Sequence, residues 1–132
     1  MNNSAITDML ERGVLQPLDA VNIDDFLAGE GLRVLFFAGD QSRRSDAQDV
    51  AVALREVLKD YPEKVEAGLV QTADEGALQG RFRVLAFPSL ALVLGGETLE
   101  VIPRVRDWSD YVQAFRRYLG DAAGRSTVEN QA

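Results

Sequence analysis

The stretch Phe87-Pro88-Ser89-Leu90-Ala91-Leu92-Val93-Leu94, followed by Gly95-Gly96, decides how this chain is read. Pro88 cannot donate to a sheet ladder, so the apolar run after it predicts a strand that begins behind a proline. Gly95-Gly96 is a tight-hairpin signal, because such turns need positive φ, and residues 98–102 return as the partner strand. An antiparallel pair is thus expected near the C-terminal end of the chain.

Working upstream, Arg33-Val34-Leu35-Phe36-Phe37-Ala38 is nearly continuous apolar sequence ending at Gly39. A strand buried on both faces reads this way, at the centre of a parallel or mixed sheet. Residues 39–45 are polar and loop-like, and Ser45 or Asp46 is expected to cap the helix that follows. There Val50, Ala53, Leu54, Val57, Leu58 and Tyr61 recur at three- and four-residue spacing, and Pro62 stops it. Residues 65–71 predict another strand. Thr72 or Asp74 then caps a short helix to residue 79, with Ala77 and Leu78 facing inward. Nearer the start, residues 4–12 predict a short helix and residues 18–21 a strand. Asn22, with Asp25 at N3, is expected to cap a helix with Ile23, Phe26 and Leu27 on one face.

Downstream, Asp107 is expected to cap a last helix whose buried stripe is Trp108, Tyr111, Val112, Phe115 and Leu119. Residues 121–132 contain no large apolar side chain except Val128 and are expected to form a flexible tail. Strands alternating with helices imply βαβ units, and the hairpin adds antiparallel strands. The fold class is therefore α/β, a central mixed sheet flanked by helices. Three parts are expected: a helical extension over 1–16, one domain over 17–120 and a tail over 121–132.

A chain of 132 residues, 46% hydrophobic and 27% charged, is a single globular domain by size and composition. It contains no cysteine and no histidine. Disulfides, thiol redox chemistry, imidazole or thiolate metal sites and Ser/His/Asp catalysis all lose their key atoms. No catalytic residue, metal or cofactor is expected, and binding is the default function. The net charge of −7 argues against nucleic acid and anionic membranes and favours a positively charged peptide or protein segment. The first residues show no basic-then-apolar leader. The longest apolar run, residues 84–94, is too short to span a bilayer, so a cytoplasmic protein without membrane insertion is expected.

The order of elements resembles the thioredoxin fold. Val50-Ala51 with Leu54, Glu56 and Val57, then Asp60-Tyr61, resembles the long helix after the thioredoxin active site. Phe82 with Phe87-Pro88-Ser89-Leu90 resembles the cis-proline segment, which implies a cis bond at Pro88. Gly95-Gly96-Glu97 resembles the hairpin turn. The position of the family's CxxC falls near Arg44-Ser45-Asp46-Ala47, where no thiolate can form. The central strand also lacks the buried carboxylate usual in that family.

Among redox-inactive members, the chain resembles the HyaE/HupG/HoxO family of hydrogenase expression proteins. Arg33-Val34-Leu35-Phe36-Phe37, the polar loop over 40–46, Arg81-Phe82-Arg83-Val84 and Phe87-Pro88-Ser89 carry the resemblance. It implies a redox-inactive chaperone in nickel–iron uptake hydrogenase maturation. Its partner would be the small-subunit precursor with its twin-arginine signal peptide, bound before export, and further partners would be other hydrogenase maturation factors. The alternative is a generic redox-dead thioredoxin-like adaptor. An extended peptide could pair beside Phe87 and Pro88. Carboxylates accept arginine in bidentate geometry, and Asp40, Asp46, Asp49, Asp74 and Glu75 are the candidates near that edge. Arg43 and Arg44 oppose an acidic pocket in the loop, so Glu97 and Glu100 are kept as another acidic face.

Overall fold

A computed structural model describes residues 4–40 and 44–120. The expected tail over 121–132 and Arg43 lie outside the described residues. In chain order the elements are α1 (Ala5–Glu11), β1 (Leu15–Leu18), α2 (Ile23–Ala28), β2 (Leu32–Phe37), α3 (Arg44–Leu58), β3 (Val65–Val70), α4 (Thr72–Gln79), β4 (Ser89–Leu94), β5 (Glu97–Pro103) and α5 (Trp108–Leu119). The sheet runs β1-β3-β2-β4-β5. Strands β1 and β2 pair with β3 in parallel, while β4 is antiparallel to both β2 and β5.

Strand β2 explains its own sequence. Val34 and Phe36 join Met9, Leu54 and Phe115 in the core under α1, α3 and α5. Leu35 and Phe37 join Ile23, Phe26 and Leu78 in the core under α2 and α4. Alternate residues feed opposite layers, so both parities must be apolar. Strand β4 repeats this, with Leu90 and Leu92 in one core and Ala91 and Val93 in the other. The result is a mixed sheet between helices, the thioredoxin-like arrangement, and the Phe87–Pro88 bond is cis.

Several local expectations are corrected. The first strand is Leu15–Leu18 rather than residues 18–21, because Asp19 and Asn22 close a turn directly after it. Asp19 Oδ1 accepts from the N–H groups of Val21 (2.9 Å) and Asn22 (2.8 Å), and Asn22 Oδ1 accepts from Asp19 N–H (2.8 Å). Such side chains give the backbone an alternative to a ladder. That use of Asn22 also explains why it makes no side-chain cap to α2. Helix α3 starts at Arg44, so Ser45 and Asp46 sit inside its first turn instead of capping it. Residue Gln71, not Thr72 or Asp74, occupies the N-cap position of α4, and Glu75 and Leu78 face inward while Ala77 is exposed. In α5 the buried residues are Tyr111, Ala114 and Phe115, whereas Trp108 is 49% exposed. The loop from β5, rather than a strand, lies beneath the first turn: Arg106 N–H donates to the Tyr111 hydroxyl, which donates to Arg104 O. Asp107 holds the N-cap position of α5 without a side-chain capping bond.

Gly68 shows why β1 can lie so close to β3. A Cβ there would collide with the Leu18 side chain and stand 3.1 Å from Gln16 O on the neighbouring strand. Gly68→Ala is expected to destabilise by about 1–3 kcal/mol, since overpacking outweighs the roughly 0.4–1 kcal/mol gained from a stiffer unfolded chain. Urea denaturation measures it. An unchanged midpoint would mean that β1 yields freely.

Candidate functional site

Parallel pairing brings the C-terminal ends of β1, β3 and β2 to one end of the sheet. Antiparallel pairing brings the start of β4 and the end of β5 to the same end. The connections leaving this rim and the first turns of α3 and α4 carry Asp40, Asp46, Asp49, Asp74, Glu75, Phe87 and Pro88, so all seven candidate residues lie at this end of the sheet. Open α/β sheets bind ligands at this end, where loops rather than ladders supply the groups.

Their environments differ. Asp40 is exposed beside Gly39, whose φ of 87° turns the chain out of β2. It lines a cavity of about 390 Å³ with Ile6, Ala38, Ala47, Gln48 and Thr72. Asp46 and Asp49 are exposed on the first turns of α3. Asp74 is half-buried, and its Oδ2 accepts from Ala20 N–H at 3.2 Å, tying the β1–α2 turn to α4. Glu75 is only 4% exposed, and Gly39 N–H donates to its Oε2 at 2.9 Å. A buried carboxylate used in this way holds the loop after β2 against α4.

The apolar edge of the rim is held by ring packing and hydrogen bonds. Phe87 stacks on Phe37 at 6.3 Å, and Phe37 packs tilted against Phe82 at 6.4 Å. Ser89 Oγ donates to Ala86 O, and Arg104 N–H donates to Pro88 O at 2.7 Å. The β5–α5 loop is therefore fastened to the proline segment. Burial raises the Tyr111 phenol pKa, the bond from Arg106 lowers it, and the charge of Asp49 adds a smaller upward push. The other acidic face is separate: Glu97 starts β5 at the hairpin, and Glu100 accepts from Arg117 and from the Tyr118 hydroxyl.

The sequence reading missed Leu85, which is 92% exposed beside Phe87. A signal was present. Apolar and charged residues alternate over 81–84, and with Phe82 and Val84 buried and Arg81 and Arg83 exposed the next position, Leu85, falls among the exposed ones. Among the described residues no His, Cys, Asp and Glu cluster could hold a metal ion, and no helix is long and apolar enough to cross a membrane. What the rim offers is exposed carboxylates next to an apolar edge, an arrangement suited to a segment that is cationic in one part and apolar in another.

Comparison with known proteins places the chain in a family. The model of the hydrogenase-1 expression protein HyaE matches residues 5–111. The hydrogenase expression/formation protein HupG of Rhizobium leguminosarum bv. viciae is 37% identical over 123 residues, covering 90% of this chain and 83% of HupG. HoxO of Azotobacter vinelandii, with the same description, is 42% identical over 102 residues, 77% of this chain and 68% of HoxO. HoxO of Cupriavidus necator is 36% identical over 127 residues, 92% and 79% of the two chains. A match from the first helix into the last, across every strand that builds the rim, means that the chain belongs to the HyaE family of hydrogenase expression proteins.

Proposed function

We propose that this protein is a non-catalytic cytoplasmic chaperone of hydrogenase formation. In this reading it binds the small-subunit precursor of a nickel–iron hydrogenase before export and takes the paired arginines of its leader at the strand-end rim. Family membership supplies the process, and the exposed Asp40, Asp46 and Asp49 beside Phe87 and Pro88 supply the reading of the site. A guanidinium is always charged and meets a carboxylate through two parallel hydrogen bonds, which suits it to this set of acids. The net charge of −7 adds long-range attraction for a basic leader, which raises the association rate.

Calorimetric titration of the whole chain with the leader peptide tests this, at about 0.1 M and about 1 M salt, where the Debye length falls from about 10 Å to about 3 Å. Affinity is expected to drop with salt without vanishing, because apolar contacts are not screened. Changing both arginines of the peptide to Gln is expected to weaken binding about tenfold, given up to ~1 kcal/mol for each exposed pair. Equal affinity for the two peptides would remove arginine recognition. No binding of either by the folded protein would favour the adaptor reading instead.

A further inference from the structure

We infer that the apolar part of such a leader docks on Leu85, Val105 and Trp108, the side chains flanking the Phe87–Pro88 segment. The inference rests on the leader-binding reading above and adds to it where, and in which direction, the peptide lies. Three of the most exposed large apolar side chains among the described residues occur near that segment: Leu85 at 92% in the α4–β4 loop, Val105 at 42% in the β5–α5 loop and Trp108 at 49% at the start of α5. The bond from Arg104 N–H to Pro88 O joins one of these loops to the proline, and the Tyr111 hydroxyl braces the same loop at Arg104 and Arg106. With the β5–α5 backbone braced in this way, binding there has to order side-chain rotamers and little of the main chain, while the apolar burial favours a complex.

Charge decides which part of the peptide belongs there. Arg104 and Arg106 flank Val105, whereas Arg81 is paired with Asp24 and the Arg83 guanidinium donates to Thr98 O, toward the other end of β5. Positive neighbours repel a paired-arginine segment and leave the apolar segment as the suitable occupant. Asp40 in the β2–α3 connection and Asp46 and Asp49 in the first two turns of α3 follow β2, which neighbours β4 in the sheet. A leader is a positive segment followed by about 7–15 apolar residues. The rim offers the same order in space, acids beside β2 and apolar side chains around β4 and β5. Val21, also 88% exposed, stands at the far β1 edge between Asp19 and Asp24 with no large exposed apolar partner in its turn.

Trp108 is the sole tryptophan, so its emission reports directly on this surface. Titration of the full-length protein with the leader peptide, followed in parallel by fluorescence and calorimetry, tests the inference. Binding is expected to shift Trp108 emission to the blue, and a leader whose apolar segment is replaced by Ser and Gly is expected to leave it unshifted. Leu85→Ser and Val105→Ser, both at exposed sites whose folding is verified by thermal melting, are each expected to weaken the full leader several-fold to about tenfold. Val21→Ser is expected to leave affinity unchanged. Leader binding by calorimetry with unshifted emission and unchanged affinity in both serine variants would overturn this docking site while leaving the chaperone reading intact. An equal loss from Val21→Ser would overturn it as well. Absence of any leader binding to the unmodified protein would remove the chaperone reading, and this inference with it.

Discussion

Phe115→Ala is expected to lower the stability of this protein by about 3–5 kcal/mol, the range for deleting a buried aromatic ring. Phe115 is fully buried in the core beneath α3 and α5, and its ring stacks on Tyr61 at 6.2 Å. Tyr61 in turn donates its hydroxyl to Gly120 O at 2.7 Å, so the pair ties the end of α5 to the end of α3. A cavity left here has α5 as its lid, and the helix can sink only as far as Tyr111 and Ala114 on the same face allow. Against a typical total of about 5–15 kcal/mol, the loss removes a large fraction of the stability. Urea denaturation should show the midpoint falling at constant slope. A change below about 1 kcal/mol would mean that α5 collapses into the cavity. Leader affinity of the folded variant should be unchanged, because Phe115 lies about two helical turns from Trp108.

Phe37→Ala is expected to cost a similar amount, about 3–5 kcal/mol, but to disturb the site as well. Phe37 is fully buried at the end of β2 and supports Phe87 by stacking and Phe82 by a tilted contact. Removing it takes away the surface on which Phe87 rests, one residue before Pro88. Leader affinity measured on the folded fraction should therefore fall several-fold, whereas Phe115→Ala leaves it alone. The pair of variants separates stability from site geometry, since both lose one buried ring of the same size. A Phe37→Ala protein that is destabilised yet binds the leader normally would place the peptide away from Phe87.

Much of the fold is legible in single segments. Residues 33–38 and 89–94 are apolar at both parities, which only a strand covered on two faces requires, and β2 and β4 feed alternate residues to the two cores. The glycine pair at 95–96 adopts φ of 61° and 82° in the hairpin that its composition predicts. The first strand lies three residues before the extendable-looking stretch 18–21, because the mutual bonds of Asp19 and Asn22, which end it, are not visible in a hydropathy pattern. Trp108 follows the same spacing as Tyr111 and Phe115, yet the helix begins above a loop and its first side chain stays half in water.

The sequence by itself determined the layered α/β architecture, the lack of any thiol or imidazole chemistry and the acidic character that suits a basic partner. These depend on composition and on periods of two to four residues, which are local. Which carboxylate can meet a partner was decided only by tertiary structure. Asp46 and Glu75 are both acids in the first turn of a helix, but Glu75 is 4% exposed and bonded to Gly39, 36 residues away, while Asp46 faces water. Asp74, next to Glu75, is tied to Ala20 across 54 residues. Burial of a polar group depends on what another segment places over it and on whether that segment brings a hydrogen-bond donor. Spacing along one helix carries no information about either.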